Sequence, residues 1–118
     1  MARLAAERQV VGRTMILTIE DDGCLHLYDS LDAVVLNTES LDAEECLRAV
    51  FDEWGQRYAI EWIEPNKRGR IGATNGRYRL VASGEPDWGG LKAAIDEAGP
   101  RGLSEREWVL VEAVRDRR

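Results

Sequence analysis

The chain has 118 residues, of which 44% are hydrophobic and 32% are charged, and its formal net charge is −6. This composition excludes an intrinsically disordered chain, and the length suffices for one domain with its own core, which we expect to span residues 1–118. No apolar run is long enough to cross a membrane, and residues 1–12 are too charged for a signal peptide. We therefore expect a cytoplasmic protein, with a loose arm or short helix over residues 1–12.

The first predicted element is a β-hairpin over residues 14–28. Asp22 and Gly23 form a turn dipeptide between two apolar runs. A two-residue loop would mix apolar and polar side chains on both faces, whereas a three-residue loop with Gly23 in the left-handed conformation separates them. The sequence thus predicts the three-residue loop. The side chains that then share the apolar face are Met15, Leu17, Ile19, Leu25 and Leu27.

The segment after the first hairpin is either a short helix that Ser30 caps or a strand favoured by its β-branched residues. Residues 42–63 also allow two interpretations. In the first, Asp42 caps a helix whose apolar stripe runs from Cys46 to Trp54 and ends at Gly55. In the second, residues 47–63 form another hairpin with its turn at 52–55. The helix buries Trp54, whereas the hairpin exposes it as an aromatic anchor for a partner.

The second half of the chain predicts two further strands and two helices. The strands cover residues 58–63 and 77–82, with a turn at Asn75 and Gly76 between them. A helix follows around residues 88–98, and a last helix begins at a capping box of Ser104 and Glu107. Strands therefore precede helices, which predicts an α+β fold: N-terminal antiparallel β-hairpins form a mainly antiparallel sheet that is packed by C-terminal helices.

Charge is unevenly distributed along the chain. Residues 1–59 carry a net charge of −7 and residues 60–118 a net charge of +1. The acidic tract contains Glu20, Asp21, Asp22, Asp29, Asp32, Glu39, Asp42, Glu44 and Glu45, and no lysine or arginine interrupts it. The segment 66–82 holds Lys67, Arg68, Arg70, Arg77 and Arg79 and no acid. A tract of one sign attracts a partner of the other sign, so we expect an acidic docking face, unless the cations pair with the acids of the same molecule.

The sequence offers little for catalysis or metal binding. His26 is the only histidine, and together with Cys24 and Cys46 it lacks the spacing of a known metal site. No nucleophile motif or phosphate-loop motif occurs, and the two cysteines are expected to be reduced. We therefore expect no metal, no cofactor and no catalytic residue, and a small enzyme that uses His26 is the least favoured hypothesis.

These observations favour a non-catalytic protein-binding module whose acidic face binds a basic partner, with Trp54 as the aromatic anchor. The small size, the acidity and the order of hairpins before helices resemble those of bacterial immunity proteins. That resemblance implies an inhibitor of a basic toxin domain. One alternative is a protein that binds phosphate, a nucleotide or RNA through the five cations of segment 66–82. Another is a small globular domain that self-associates through a sheet edge, so that a monomer and a homodimer are both open.

Overall fold

Five antiparallel strands form the main sheet of the structure, a computed structural model that describes residues 15–69 and 72–117. The strands of this sheet are β1 (Ile16–Glu20), β2 (Leu25–Tyr28), β3 (Leu47–Asp52), β4 (Arg57–Glu64) and β7 (Arg77–Ala82), in the spatial order β2-β1-β3-β4-β7. Two short strands, β5 (Lys67–Gly69) and β6 (Gly72–Thr74), pair in a second sheet. The helices are α1 (Leu31–Asn37), α2 (Ser40–Cys46), α3 (Trp88–Ala98) and α4 (Glu105–Arg115). The arm predicted over residues 1–12 lies outside the described residues.

The predicted α+β fold is confirmed, and the sheet carries helices on both faces. Leu17 of β1 packs with Ile95 of α3 and with residues of α4, as expected for a sheet covered by the C-terminal helices. Its neighbour Ile16 points to the opposite face, where it packs with Val34 of α1 and with α2. Both strand residues are almost completely buried because both faces are covered. Of the two interpretations of the segment after the first hairpin, the helix capped by Ser30 is correct, and its residue Val34 is buried. The sequence does not indicate, however, that α1 and α2 form a layer on the face opposite to the C-terminal helices.

The predicted register of the first hairpin is confirmed. Leu17 lies opposite Leu27, and Ile19 lies opposite Leu25, so the apolar side chains share one face. Gly23 has a φ of +83° and donates its N–H to the carbonyl oxygen of Glu20 at 2.9 Å. A left-handed residue at this point closes a three-residue loop, which is the arrangement that separates apolar from polar side chains.

For residues 42–63 the hairpin interpretation is correct from residue 47 onward. The helix α2 begins at Ser40 after the N-cap residue Glu39 and ends at Cys46, so the cap predicted at Asp42 is wrong. The apolar stripe predicted to continue toward Trp54 lies on a strand instead. Its members Val50 and Phe51 alternate between the two faces of β3, and both are buried because β3 is a central strand with a helical layer on each side.

The two C-terminal helices each begin with a side-chain cap. Asp87 Oδ1 accepts the N–H of Gly90 at 2.8 Å at the start of α3. At the start of α4, Ser104 Oγ accepts the N–H of Glu107, while a carboxylate oxygen of Glu107 accepts the N–H of Ser104. The predicted capping box is therefore confirmed, and it fixes Glu107 on the first turn of α4.

Strand β4 leaves β3 after two paired positions and continues with β7. The residue pairs between β3 and β4 are Val50 with Tyr58 and Phe51 with Arg57, whereas β4 and β7 pair along almost their full length. We call the paired strands β4 and β7 the arm of the sheet. Side-chain hydrogen bonds attach this arm to α2, including one from Ser40 Oγ to the carbonyl oxygen of Gly76 at 2.9 Å. The arm therefore reaches past the core toward the acidic helix α2.

The half-buried Tyr58 and the buried Tyr78 should make the protein less stable at alkaline pH. Burial raises the pKa of Tyr58 above 10.0, with a further contribution from the Asp52 carboxylate, and burial also raises the pKa of Tyr78. The unfolded chain loses these protons first, so the free energy of unfolding should be unaffected below about pH 10 and should fall as the pH rises through the folded-state pKa values. Urea unfolding between about pH 8 and 11 measures this slope, and Tyr78→Phe should flatten it. An equal slope in wild type and variant would contradict the assignment.

Candidate functional site

The structure divides the nine predicted acidic residues among different parts of the surface. The first group combines the turn between β1 and β2 with helix α2 and surrounds the Cys46 side chain. Burial of the Cys46 thiol raises its pKa, and nearby carboxylates raise it further. The carboxylates that act on this thiol are those of Glu20, Asp21, Asp42 and Glu45. These acids are distant in sequence, and the fold brings them together.

Part of this first group has a structural role. Asp22 Oδ1 accepts the N–H of Cys24 at 2.9 Å, and this hydrogen bond lowers the pKa of Asp22. The Glu20 carboxylate lies 3.5 Å from the Nε2 atom of His26. The turn chemistry predicted for Asp22 is therefore present, and His26 has a carboxylate neighbour on the adjacent strand.

Arg68 connects the basic segment to the acidic helix α2. Its guanidinium lies 3.1 Å from Glu44 and 3.0 Å from Glu45. A hydrogen bond from the Asn66 amide at 2.7 Å lowers the pKa of Glu44, and the Arg68 charge acts in the same direction. The expectation that cations of this segment pair with the acidic half of the same molecule is confirmed for Arg68.

The other cations of the segment lie along the arm. Arg77 is 3.6 Å from Glu64, and Arg79 pairs with Glu61, so both form cross-strand ion pairs between β7 and β4. Lys67 is exposed on β5, and Arg70 lies outside the described residues. Arg68, Arg77 and Arg79 therefore each contact a carboxylate of the same molecule.

The second acidic group lies in a groove of about 590 Å³ at the end of the sheet, between α1 and α4. Asp29 follows strand β2 into this groove, and Glu53 and Glu107 enter it from the β3–β4 turn and from α4. The remaining lining residues are Met15, Leu27, Tyr28, Ala33, Asn37 and Leu110. We call this feature the acidic groove. It combines three carboxylates with largely apolar walls, and no lysine or arginine is among the described residues that line it.

Backbone contacts hold the acidic groove in shape. Glu53 Oε2 accepts the N–H of Met15 at 2.7 Å, and the N–H of Glu53 donates to the carbonyl oxygen of Met15 at 3.0 Å. The other oxygen of the Glu53 carboxylate lies 3.0 Å from Arg117 Nη2. Glu53 is thus held by two hydrogen bonds with Met15 and by an ion pair with Arg117, while Glu107 is held by its capping box.

Trp54 lies beside the acidic groove at the tip of the β3–β4 turn. Its side chain is 59% exposed, as the hairpin interpretation predicted, and it follows the groove residue Glu53 in the chain. The guanidinium of Arg117 lies 4.1 Å from the centre of the Trp54 ring. An exposed tryptophan held by a cation and placed next to a groove has the character of an interface anchor.

Two predicted acids lie outside both groups. Asp32, on the first turn of α1, lines a separate groove between α1 and β7. Glu39, the N-cap residue of α2, lines another cavity next to it. Sequence reasoning missed Glu53 and Glu107 as partners of Asp29, since they lie in distant segments and Glu107 is fully explained as a cap. The one feature of the sequence that could have indicated the acidic groove was Leu110, an apolar residue on the solvent side of α4.

The described residues show no sign of a metal centre or of a membrane span. Histidine, cysteine and carboxylate side chains within residues 15–69 and 72–117 form no group of three able to hold a metal ion. None of the helices in the same ranges is both long and apolar enough to cross a bilayer. Comparison of the chain with protein-family models, with curated proteins and with solved structures yields no match.

Proposed function

We propose that the protein is a non-catalytic protein-binding module that docks a basic partner in the acidic groove. The observation that carries this proposal is the composition of the groove, where Asp29, Glu53 and Glu107 lie among apolar side chains. Arginine and lysine have an apolar stem and a cationic head, so a groove of this composition can accommodate both parts. Arg117 Nη2 lies 3.0 Å from the carboxylate of Glu53 and neutralises part of the charge of this acid.

The mode of docking follows from the position of the groove next to Trp54. A partner that places a basic side chain in the groove brings its neighbouring surface against the exposed indole ring. Aromatic residues at the centre of an interface contribute strongly to affinity, whereas charges at its rim mainly increase the association rate. We therefore assign the anchor to Trp54 and the steering to the acids, including the group around Cys46.

We expect a tenfold loss of affinity for a basic peptide when Asp29 and Glu107 become amides. The probe is a fluorescein-labelled peptide of alternating arginine and leucine, titrated by fluorescence anisotropy. In the double variant Asp29→Asn, Glu107→Gln, the Kd should rise about tenfold, because two exposed charge pairs are lost. Glutamine at residue 107 can still accept the N–H of Ser104, so the cap is retained.

The matched control is the double variant Glu85→Gln, Glu97→Gln, which changes the net charge equally at two exposed residues outside the groove. Its Kd should stay within about twofold of wild type at about 150 mM salt, because distant surface charges are screened. Equal losses in both double variants would show that only the net charge matters, and the proposed docking site would then be wrong.

A finer form of the proposal is an immunity-type inhibitor whose basic partner is a toxin domain. It is supported by the small size and acidity of the chain together with the groove. The protein encoded next to this chain's own gene should then form a salt-sensitive complex with it, and cells that express that neighbour should be protected by the wild-type chain. Protection by the variant Asp29→Asn, Glu107→Gln to the same extent would contradict a role for the groove.

A further inference from the structure

Strand β7 forms an edge of the main sheet in the part of the chain that the structure describes. It pairs with β4 on one side, and no described strand pairs with its other side. Such an edge presents a row of backbone N–H and C=O groups that can pair with a further strand. Helix α1 lies over one face of β7, where the hydroxyl group of Tyr78 donates to the carbonyl oxygen of Thr38 at 2.7 Å.

An apolar groove of about 460 Å³ separates α1 from this edge. Its apolar lining comes from Leu31, Val35 and Leu36 on the helix and from Tyr78 and Leu80 on the strand, and Asp32 and Arg79 complete the set of residues that line it. Leu36 is 84% exposed, the highest value among the large apolar residues of the described ranges. We call this feature the edge groove.

A second cavity continues the edge groove along α1. It has a volume of about 320 Å³, shares Val35 and Tyr78 with the first, and adds Ile63, which is 52% exposed. Trp62 on β4 is 39% exposed, and the centre of its ring lies 5.7 Å from that of Tyr78. Contiguous exposed apolar surface of this kind marks an interaction site more often than isolated residues do.

The charges on the other face of β7 indicate what kind of strand fits. Arg77 and Arg79 alternate with the buried Tyr78 and Leu80, and each arginine has a carboxylate of β4 on its inner side. A strand added at the outer edge places its side chains directly opposite those of β7. Acidic side chains there would complete a row of acid, arginine and acid across three strands. Apolar side chains at the alternate positions would enter the edge groove.

We propose that β7 and the edge groove bind an extended segment of a partner protein in which apolar and acidic residues alternate. The segment adds a sixth strand to the sheet, with its apolar residues against Leu36 and its acidic residues against Arg77 and Arg79. A second copy of this chain paired through its own β7 is a poorer occupant, because the antiparallel pairing would place arginines of the two copies side by side. This site is independent of the acidic groove and takes a partner of the opposite charge.

The test uses a fluorescein-labelled peptide of alternating leucine and glutamate, with a peptide of alternating leucine and lysine as the control for charge. Wild-type protein should bind the acidic peptide at least tenfold more tightly than the basic one in competition at this edge. Leu36→Ala should raise the Kd for the acidic peptide about tenfold, because the leucine side chain that the bound peptide would cover is lost. Leu110→Ala, the same change in the acidic groove, should leave this Kd unchanged.

Hydrogen exchange of backbone amides locates the bound peptide. The acidic peptide should slow exchange at amides of β7, since an added strand protects the outer edge. Protection of β2 in place of β7, equal affinity in wild type and Leu36→Ala, or no binding up to about 1 mM peptide would each overturn the proposal.

Sedimentation of the protein alone provides a further test: a dimer that Leu36→Ala dissociates would assign the edge groove to a second copy and would also overturn the proposal.

Discussion

Replacing Asp52 with alanine should lower the free energy of unfolding by about 3 kcal/mol. This carboxylate is 7% exposed and organises the turn that carries Trp54. Its Oδ1 atom accepts the N–H groups of Trp54 at 2.8 Å and Gln56 at 3.0 Å, and its Oδ2 atom accepts the hydroxyl group of Tyr58 at 3.1 Å. Alanine leaves three partly buried donors without an acceptor, and hydrogen bonds to a charged group are the stronger kind.

The isosteric variant Asp52→Asn separates the loss of charge from the loss of the turn. Its side-chain oxygen can still accept the two backbone N–H groups, so we expect a loss of only about 1 kcal/mol. Urea unfolding of the three proteins measures both differences. A change below about 0.5 kcal/mol in Asp52→Ala would contradict the role of this carboxylate in the turn.

The second large effect is expected in the core under helix α3. Leu91 is 1% exposed and packs with residues of the sheet and of α4, so Leu91→Ala should cost about 3 to 4 kcal/mol through lost burial and the cavity that remains. The same change at the exposed Leu36 should cost less than about 0.5 kcal/mol.

Urea unfolding at neutral pH measures both leucine variants. A small effect at Leu91 would contradict the packing of α3 on the sheet. A large effect at Leu36 would show that this side chain supports the fold, and its assignment to a binding site would then be unfounded. The comparison is matched because the chemical change is identical and only the burial differs.

The sequence predicts local structure well where a turn or a cap fixes it. The loop at Gly23 and the capping box at Ser104 and Glu107 are confirmed because each depends on a few neighbouring residues. The change from helix to strand at Leu47 is a different case. The segment from Asp42 to Trp54 has strong helix propensity, and only the place of β3 between two other strands decides against a helix.

The candidate site is predicted only in part, because it is assembled from distant segments. Charge patterning identifies Asp29 as one of nine acids, yet nothing local links it to Glu53 or to Glu107. Charge patterning also leaves open whether Arg68 belongs to a separate basic surface or pairs with acids of the same molecule, and the fold decides this by placing Arg68 against Glu44 and Glu45. Long-range topology decides both outcomes, and single-sequence patterns contain little information about it.

The two grooves lie at different places on the sheet and have different chemistry. The acidic groove joins carboxylates to apolar walls beside Trp54, and the edge groove joins a strand edge with which no described strand pairs to the exposed Leu36. A protein with both can hold a basic partner and an acidic strand at the same time. Binding of the two peptides should then be additive, because no residue is shared by the two linings.

The most direct test of the central claim is amide NMR mapping of the basic peptide on the folded protein. The claim is that basic partners dock in the acidic groove and not at the acids around Cys46. We predict that the amides with the largest shifts are those of Leu27, Asp29, Ala33 and Leu110, and that these shifts diminish in the variant Asp29→Asn, Glu107→Gln. Shifts centred on Glu20, Asp42 and Cys46, or spread evenly over the acidic surface, would contradict it.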